Sequence, residues 1–256
     1  MRIGVIGAAG RMGRLVVKAA LDAGHTVAGG TDRADAMHAI PDCIPTFPDV
    51  AALAAASDVV VDFTHADAVP GHAAALGAAG CAWVLGTSGL SQGDADAVAS
   101  AARSAVVVQS PSFAPGITLL LSLAEQLGAA LPGNDYDAEI LEMHHRHKVD
   151  APSGTAVALG AAVARGRGAA LPDVMVAARE GHTGPRVPGT IGFATLRGGG
   201  VVGEHTVLFA GSNEHIALTH RALDRRMFAA GAVRAAAWTA GKPPGLYSMA
   251  DVMGMR

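Results

Sequence analysis

Residues 144–148 read His-His-Arg-His-Lys, and Val-Asp-Ala-Pro-Ser-Gly-Thr-Ala follows at once. Three chemistries could use such a cluster. His145 and His147 could supply two metal ligands from one strand face, with Glu142 nearby. Zinc, however, takes three or four protein ligands, and no cysteine pair or second histidine motif has matching spacing, so no metal is expected. The run could instead be a solvated basic turn. It could also hold and protonate an anion. Ser153 is placed as the N-cap of a helix opening with Gly154 and Thr155, whose backbone amides can bind a carboxylate. Lys148 adds a point charge, and His144 titrates in the range a general acid needs. His144 and Lys148 share strand parity, yet regular strand rise would part them by roughly 13 Å. The chain must therefore turn between them, and Asp150-Ala151-Pro152 fits that need.

A second cluster opens the chain. Residues 2–6 form a short β-branched run, then Gly7, Gly10 and Gly13 punctuate GAAGRMG, and RLVVKAALDAG has helical spacing. A second strand, HTVAGG, ends at Asp32-Arg33. This is a βαβ unit with a G-x-x-G-x-x-G turn. Gly7 allows the tight exit from the strand, Gly10 lets backbone approach a phosphate, and Gly13 lets the helix pack closely. The helix N-terminus then faces a pyrophosphate. Asp32, 25 residues after Gly7, suits the ribose hydroxyls of NAD, whereas Arg33 suits the 2′-phosphate of NADP. Their adjacency predicts tolerance of both cofactors.

The strand rhythm continues at 57–67, 81–90 and 105–116, with a helix over 68–79 between the first two. Ligands of an open parallel sheet bind at the carboxyl ends of its strands, so Gly86, Thr87 and residues 111–114 should line the nicotinamide half of a dinucleotide cleft. After Pro115 the pattern changes. One helix spans 116–131, a strand 135–145 and a helix 153–164. Two strand-like runs follow, ATLRGGGVVGEHTVLFAG and EHIALTHRA, with a turn at Gly211-Ser212-Asn213. The expected fold is α/β: a Rossmann-like doubly wound parallel sheet, plus a second α+β domain of mainly antiparallel strands for substrate binding and oligomerisation. The boundaries are 1–114 plus 222–256 for the dinucleotide domain and 115–221 for the second, with a helix from about Leu223 returning to the first.

Composition sets the remaining limits. A formal charge of −3, with no Lys/Arg run and no aromatic platform, offers nothing to nucleic acid. No apolar run reaches the length that spans a bilayer, and the N-terminal run is too short for a signal peptide. Cys43 and Cys81 are the only cysteines, which suits a reduced, cytoplasmic setting. A dinucleotide cleft, an anion-gripping helix start and an acid together indicate NADH- or NADPH-dependent reduction of a small carboxylated molecule. Two other readings stay open: a reductase of a different dicarboxylate, and a nucleotide sensor that turns nothing over.

EMHHRHKVDAPSGTA, together with GAAGRMGR, LRGGGVVGEHTVLFA and the tail YSMADVMGM, resembles the 4-hydroxy-tetrahydrodipicolinate reductase family over nearly the whole chain. The resemblance implies NAD(P)H-dependent reduction of that cyclic dicarboxylate, with loss of water, in diaminopimelate and lysine synthesis. It implies that His144 is the proton donor and Lys148 the second catalytic residue, and that His145, Gly154 and Thr155 bind carboxylate. Cofactor contacts are implied for Gly7, Ala8, Ala9, Gly10, Arg11 and Met12, for Asp32 and Arg33, for Gly86, Thr87 and Ser88, and for Pro111, Ser112, Phe113 and Ala114. A homotetramer built through the second sheet is implied as well. The chain has Gly86-Thr87-Ser88-Gly89 where the family often has Gly-Thr-Thr-Gly. It has Ser112-Phe113-Ala114 where Asn-Phe-Ser is frequent.

Overall fold

The computed structural model describes residues 1–255, which divide into two compact units: residues 1–115 with the segment from Arg225 onward, and Gly116–Asp224. In the first unit the strands are β1 (Arg2–Ile6), β2 (Thr26–Thr31), β3 (Val59–Asp62), β4 (Ala82–Leu85) and β5 (Val106–Gln109). The helices between them are α1 (Arg11–Asp22), α2 (Val50–Ala56), α3 (Val69–Ala79) and α4 (Gln92–Ala101).

In the second unit α5 (Pro115–Ala130) leads to β6 (Asp137–His144), α6 (Gly154–Gly166), α7 (Leu171–Val174), β7 (Met175–Val176), β8 (Ile191–Arg197), β9 (Gly203–Ala210) and β10 (His215–Ala222). The chain returns to the first unit with α8 (Arg226–Trp238), β11 (Gly245–Tyr247) and α9 (Met249–Val252).

The first sheet has the order β11-β5-β4-β3-β1-β2, and every pairing in it is parallel. Parallel strands are buried on both faces, and side chains alternate between them. Val59, Val61, Val84 and Val108 face a core closed by α1, α8 and α9. Val60, Trp83, Leu85 and Val107 face the opposite core, closed by α2, α3 and α4. This is the doubly wound arrangement. The strand order reverses at β1, whose neighbours are β2 and β3, so the crevice for a ligand lies at the carboxyl ends of β1 and β3. The C-terminal stretch read as helix also contributes β11, whose three residues are too few to show a period.

The second sheet, β10-β9-β6-β8-β7, is mixed. β6 pairs antiparallel with β9, but parallel with β8, and β7 also runs parallel to β8. The expectation of mainly antiparallel strands therefore holds for β6, β9 and β10 alone. The run ATLRGGGVVGEHTVLFAG is two strands rather than one, broken at Gly198–Gly200, where Gly199 takes φ +51°. On β6 the buried positions are Ala138, Ile140, Glu142 and His144, and on β9 they are Gly203, His205, Val207 and Phe209. The apolar members meet α6, which buries Ala156, Leu159, Ala162 and Val163. The other face carries Leu141 and Leu196, 39% and 54% exposed.

One close approach fixes the end of β5. A Cβ on Gly231 of α8 would lie 1.8 Å from the carbonyl oxygen of Phe113. Gly231→Ala must push α8 off the 111–114 turn, and overpacking of this kind costs about 1–3 kcal/mol. A fall in the urea midpoint at unchanged slope is expected; an unchanged midpoint would show that the helix shifts without strain.

Candidate active site

In the first unit the glycine turn is fixed by its own backbone. The amides of Gly7 and Ala8 donate to the carbonyl of Thr31, and that of Gly10 to Gly7 O. Gly7 has φ +73°, and a Cβ on Gly13 would lie 2.1 Å from Gly7 O. Gly13 thus lets α1 close on the turn itself, not only on the sheet. Ala8, Ala9, Gly10, Arg11 and Met12 pass through this turn into the first residues of α1. Asp32 follows β2 directly, and its Oδ2 accepts from the amide of Ala9 at 2.9 Å while Oδ1 accepts from that of Arg33. An ionised carboxylate offers about four lone-pair directions, so ribose hydroxyls can still donate to it. Arg33 is exposed and lies 3.8 Å from Asp35. These residues fit a dinucleotide: the turn presents a helix start free of side chains at its glycines, beside an acid pinned by the turn.

The ends of β3, β4 and β5 interlock. The Gly86 amide donates to Asp62 O, and a Cβ on Gly86 would enter the Phe63 ring. Thr87 Oγ1 donates to Thr64 O at 3.2 Å, and Ser88 is exposed. Buried Asp62 accepts from Thr64 N and Oγ1, and lies 2.8 Å from His72 Nδ1. After exposed Pro111, Ser112 Oγ accepts from the Ala114 amide, and Phe113 packs edge-on against Phe63 at 5.7 Å. Ser112 thereby closes its own turn with the shorter hydroxyl.

The second unit builds a tighter cluster. The register sets Glu142 opposite His205 on β9 and Thr195 on β8, with His144 opposite Arg197. Buried Glu142 meets three fixed donors and one histidine ring nitrogen. Oε1 accepts from the Ser153 amide at 3.0 Å and from Arg197 Nη2 at 2.9 Å. Oε2 accepts from Arg197 Nη1 at 2.9 Å and lies 2.5 Å from His144 Nδ1. Ser153 Oγ accepts from the Ala156 amide, making Ser153 the N-cap as read, and sits 3.2 Å from His205 Nε2. The His144 and His205 rings meet edge to face at 5.0 Å.

The chain does turn between His144 and Lys148, but earlier than read. The turn is made at 145–148, where the Lys148 amide donates to His145 O; Asp150-Ala-Pro follows it. Lys148 Nζ pairs with Asp150 Oδ1 at 2.8 Å, and the Asp150 carbonyl accepts from Arg197. His145 is half-buried, 6.3 Å ring to ring from His147. Gly154, exposed, and Thr155 are the first residues of α6, so their amides point out of the helix start. Among the described residues, no group of three or more His, Cys, Asp or Glu side chains is placed to hold a metal ion.

Burial pushes the Glu142 carboxyl up, but the hydrogen bonds from Arg197, His144 and Ser153 outweigh it and hold the carboxyl below its ordinary value. Burial also lowers the His144 imidazole; Glu142 opposes this, Lys148 and Arg197 reinforce it, and the net shift is downward from 6.5. His205 is driven to about 4, chiefly by burial, and so stays neutral. The roles of Glu142, Arg197 and His205 were not read from sequence. The contacts of Glu142 with Ser153, of Arg197 with Glu142 and of His205 with Ser153 span 11, 55 and 52 residues, beyond any local spacing rule, although the strand period does put Glu142 and His144 on one face.

Comparison with known proteins agrees over the whole chain. Residues 1–113 match the model of the dihydrodipicolinate reductase N-terminus, and residues 116–253 that of its C-terminus. A 4-hydroxy-tetrahydrodipicolinate reductase of Granulibacter bethesdensis is 62% identical over 256 residues, covering 100% of this chain and 98% of that protein. Its counterpart from Acidiphilium cryptum is 53% identical over 255 residues, covering 100% and 98%. A dipicolinate-bound dihydrodipicolinate reductase from Paenisporosarcina sp. TG-14 shares the fold, with TM-score 0.75, 23% identity and 97% of each chain covered. The chain belongs to the dihydrodipicolinate (4-hydroxy-tetrahydrodipicolinate) reductase family.

Proposed function

We propose that the chain reduces 4-hydroxy-tetrahydrodipicolinate to tetrahydrodipicolinate with NADH or NADPH, releasing water, as a step of diaminopimelate and lysine biosynthesis. One observation carries the reading: a single buried carboxylate, Glu142, holds both the ring of His144 and the amide of the residue that caps α6. A proton donor and an anion-binding helix start are therefore locked in one frame.

The substrate's carboxylates are held by the amides of Gly154 and Thr155, by Lys148 and by His145, next to the Ser153 cap. Lys148 and the helix start stabilise negative charge as it develops. His144 supplies or relays the proton that the reduced ring takes up. When bound, a nicotinamide would supply hydride to carbon 4 after the 4-hydroxyl and a hydrogen of the adjoining ring carbon have left together as water, and the ring would take back one proton at that carbon. The dinucleotide is held by Gly7–Met12, with Asp32 and Arg33 at its ribose, and by Gly86–Ser88 and Pro111–Ala114 towards its nicotinamide. Residues 1–114 with 222–256 serve as the dinucleotide domain, and 115–221 bind substrate and form the oligomer.

The expected assembly is a homotetramer made through the second sheet. Leu141 and Leu196, exposed on the face away from α6, support it, since large apolar side chains on a sheet face gain from burial. No helix among the described residues is long and apolar enough to cross a membrane. The free Cys43 and Cys81 suit a cytoplasmic enzyme.

His144→Ala lowers kcat by about a hundredfold or more, and Lys148→Ala lowers kcat and raises the Michaelis constant for the dicarboxylate. Wild-type rates in either variant, measured with freshly made dihydrodipicolinate synthase product, would remove that residue from the mechanism. Because His144 acts in its protonated form and its ring titrates below 6.5, kcat/KM falls as pH rises through that lowered value. A bound dianion pulls the matching limb of kcat to higher pH. A kcat/KM profile flat from pH 5 to pH 8 would contradict this. With Asp32 and Arg33 adjacent, the Michaelis constants for NADH and NADPH differ by less than about a thousandfold; a wider gap would refute dual use.

A further inference from the structure

We propose that Glu142 is a positioning residue that keeps the proton of the neutral His144 ring on Nδ1, leaving Nε2 as the nitrogen through which protons pass. This rests on the reading of His144 as the proton donor, but the placement of the ring proton can be measured without any reaction.

The four partners of Glu142 decide the point. Two are the guanidinium nitrogens of Arg197 and one is the backbone amide of Ser153. None of the three can accept a hydrogen bond. Only His144 Nδ1, at 2.5 Å from Oε2, could either donate or accept. A neutral carboxyl would need a lone pair on Nδ1 and would leave the Arg197 charge beside it uncompensated. An ionised carboxylate satisfies all four contacts at once, with an N–H on Nδ1. Glu142 is 2% exposed and shares the buried face of β6 with His144, so water does not compete for these lone pairs.

Nε2 is then bare in the neutral ring and protonated in the imidazolium. A Cβ on Gly203 would stand 3.0 Å from Nε2, so the glycine there keeps a side chain off this nitrogen. On giving up its Nε2 proton the imidazolium becomes the neutral Nδ1–H ring. Glu142 gains no proton at any stage and keeps its pair with Arg197. The charged and titratable groups that act on the ring are Glu142 from β6, Lys148 from the following turn, Arg197 from β8 and His205 from β9.

Glu142→Gln converts this into a sharp test. If the glutamine oxygen faces Ser153 N and Arg197 Nη2, its NH2 meets one unavoidable donor, Arg197 Nη1, and His144 Nδ1. If it is flipped, the NH2 meets two, Ser153 N and Arg197 Nη2. The first orientation wins, and an NH2 facing Nδ1 is matched only when the ring proton moves to Nε2.

The experiment is long-range proton–nitrogen correlation NMR on the full chain with ring-labelled histidine, without substrate, above the titration of the ring. The His144 signals are assigned by their loss in His144→Gln. The expected result is Nδ1–H in the wild type and Nε2–H in Glu142→Gln, with kcat at least tenfold lower in the variant and recovered in part by Glu142→Asp. A wild-type ring carrying its proton on Nε2 would overturn the proposal, and this spectrum decides even if the variant does not fold. An Nδ1–H retained in folded Glu142→Gln would overturn it as well. If the wild type shows these spectra but reduces no dicarboxylate, the functional reading fails and the proton placement stands.

Discussion

A carboxylate buried at the end of a central strand must be met by donors on every side, or it will not stay charged. Glu142 is such a group, and the second unit is arranged around it. Its four partners come from three places: Arg197 on β8, the amide at the start of α6, and the ring two residues along its own strand. Removing any one would leave a lone pair of a buried carboxylate unmatched. The start of α6, the end of β8 and the rotamer of His144 are therefore held together by a shared electrostatic need.

That need has a functional consequence. A general acid and an anion hole work only when their geometry is set before the ligand arrives. Here the same carboxylate orients the imidazole and anchors the cap of the helix whose first amides, at Gly154 and Thr155, are available to an anion. His205, kept neutral by burial, lies against both the ring and the cap hydroxyl without adding charge. Lys148 carries its charge on the turn just beyond, paired with Asp150. The first unit uses a different device: backbone contacts to Thr31 and within the turn shape Gly7–Gly13, and the side chains of Asp32 and Arg14 tie down its middle through the amide and carbonyl of Ala9.

Much of this was legible in the sequence where the governing rule is local. A glycine turn between a β-branched run and a helical period announces a βαβ unit, and a serine before Gly-Thr-Ala announces a helix cap. Strand parity alone required a turn between His144 and Lys148, although it placed that turn too late, because nothing in the residue types of 145–148 marks a reversal. What remained hidden is non-local. That Arg197 and His205 join Glu142 depends on β6 lying between β8 and β9, and on a register that no spacing encodes. The parallel pairing of β6 with β8 was missed for the same reason. β7 and β11 are too short to carry a period.

On the proposed function, the corner between β6 and α6 is a prebuilt dicarboxylate site with His144 at its edge. This is tested most directly by titrating pyridine-2,6-dicarboxylate, a planar inert mimic, into the isotope-labelled protein and following individual NMR signals. Saturable shifts concentrated at the Gly154 and Thr155 amides, the Lys148 ammonium and the His144 ring are the expected result. Saturable binding that leaves those four signals unmoved would contradict it.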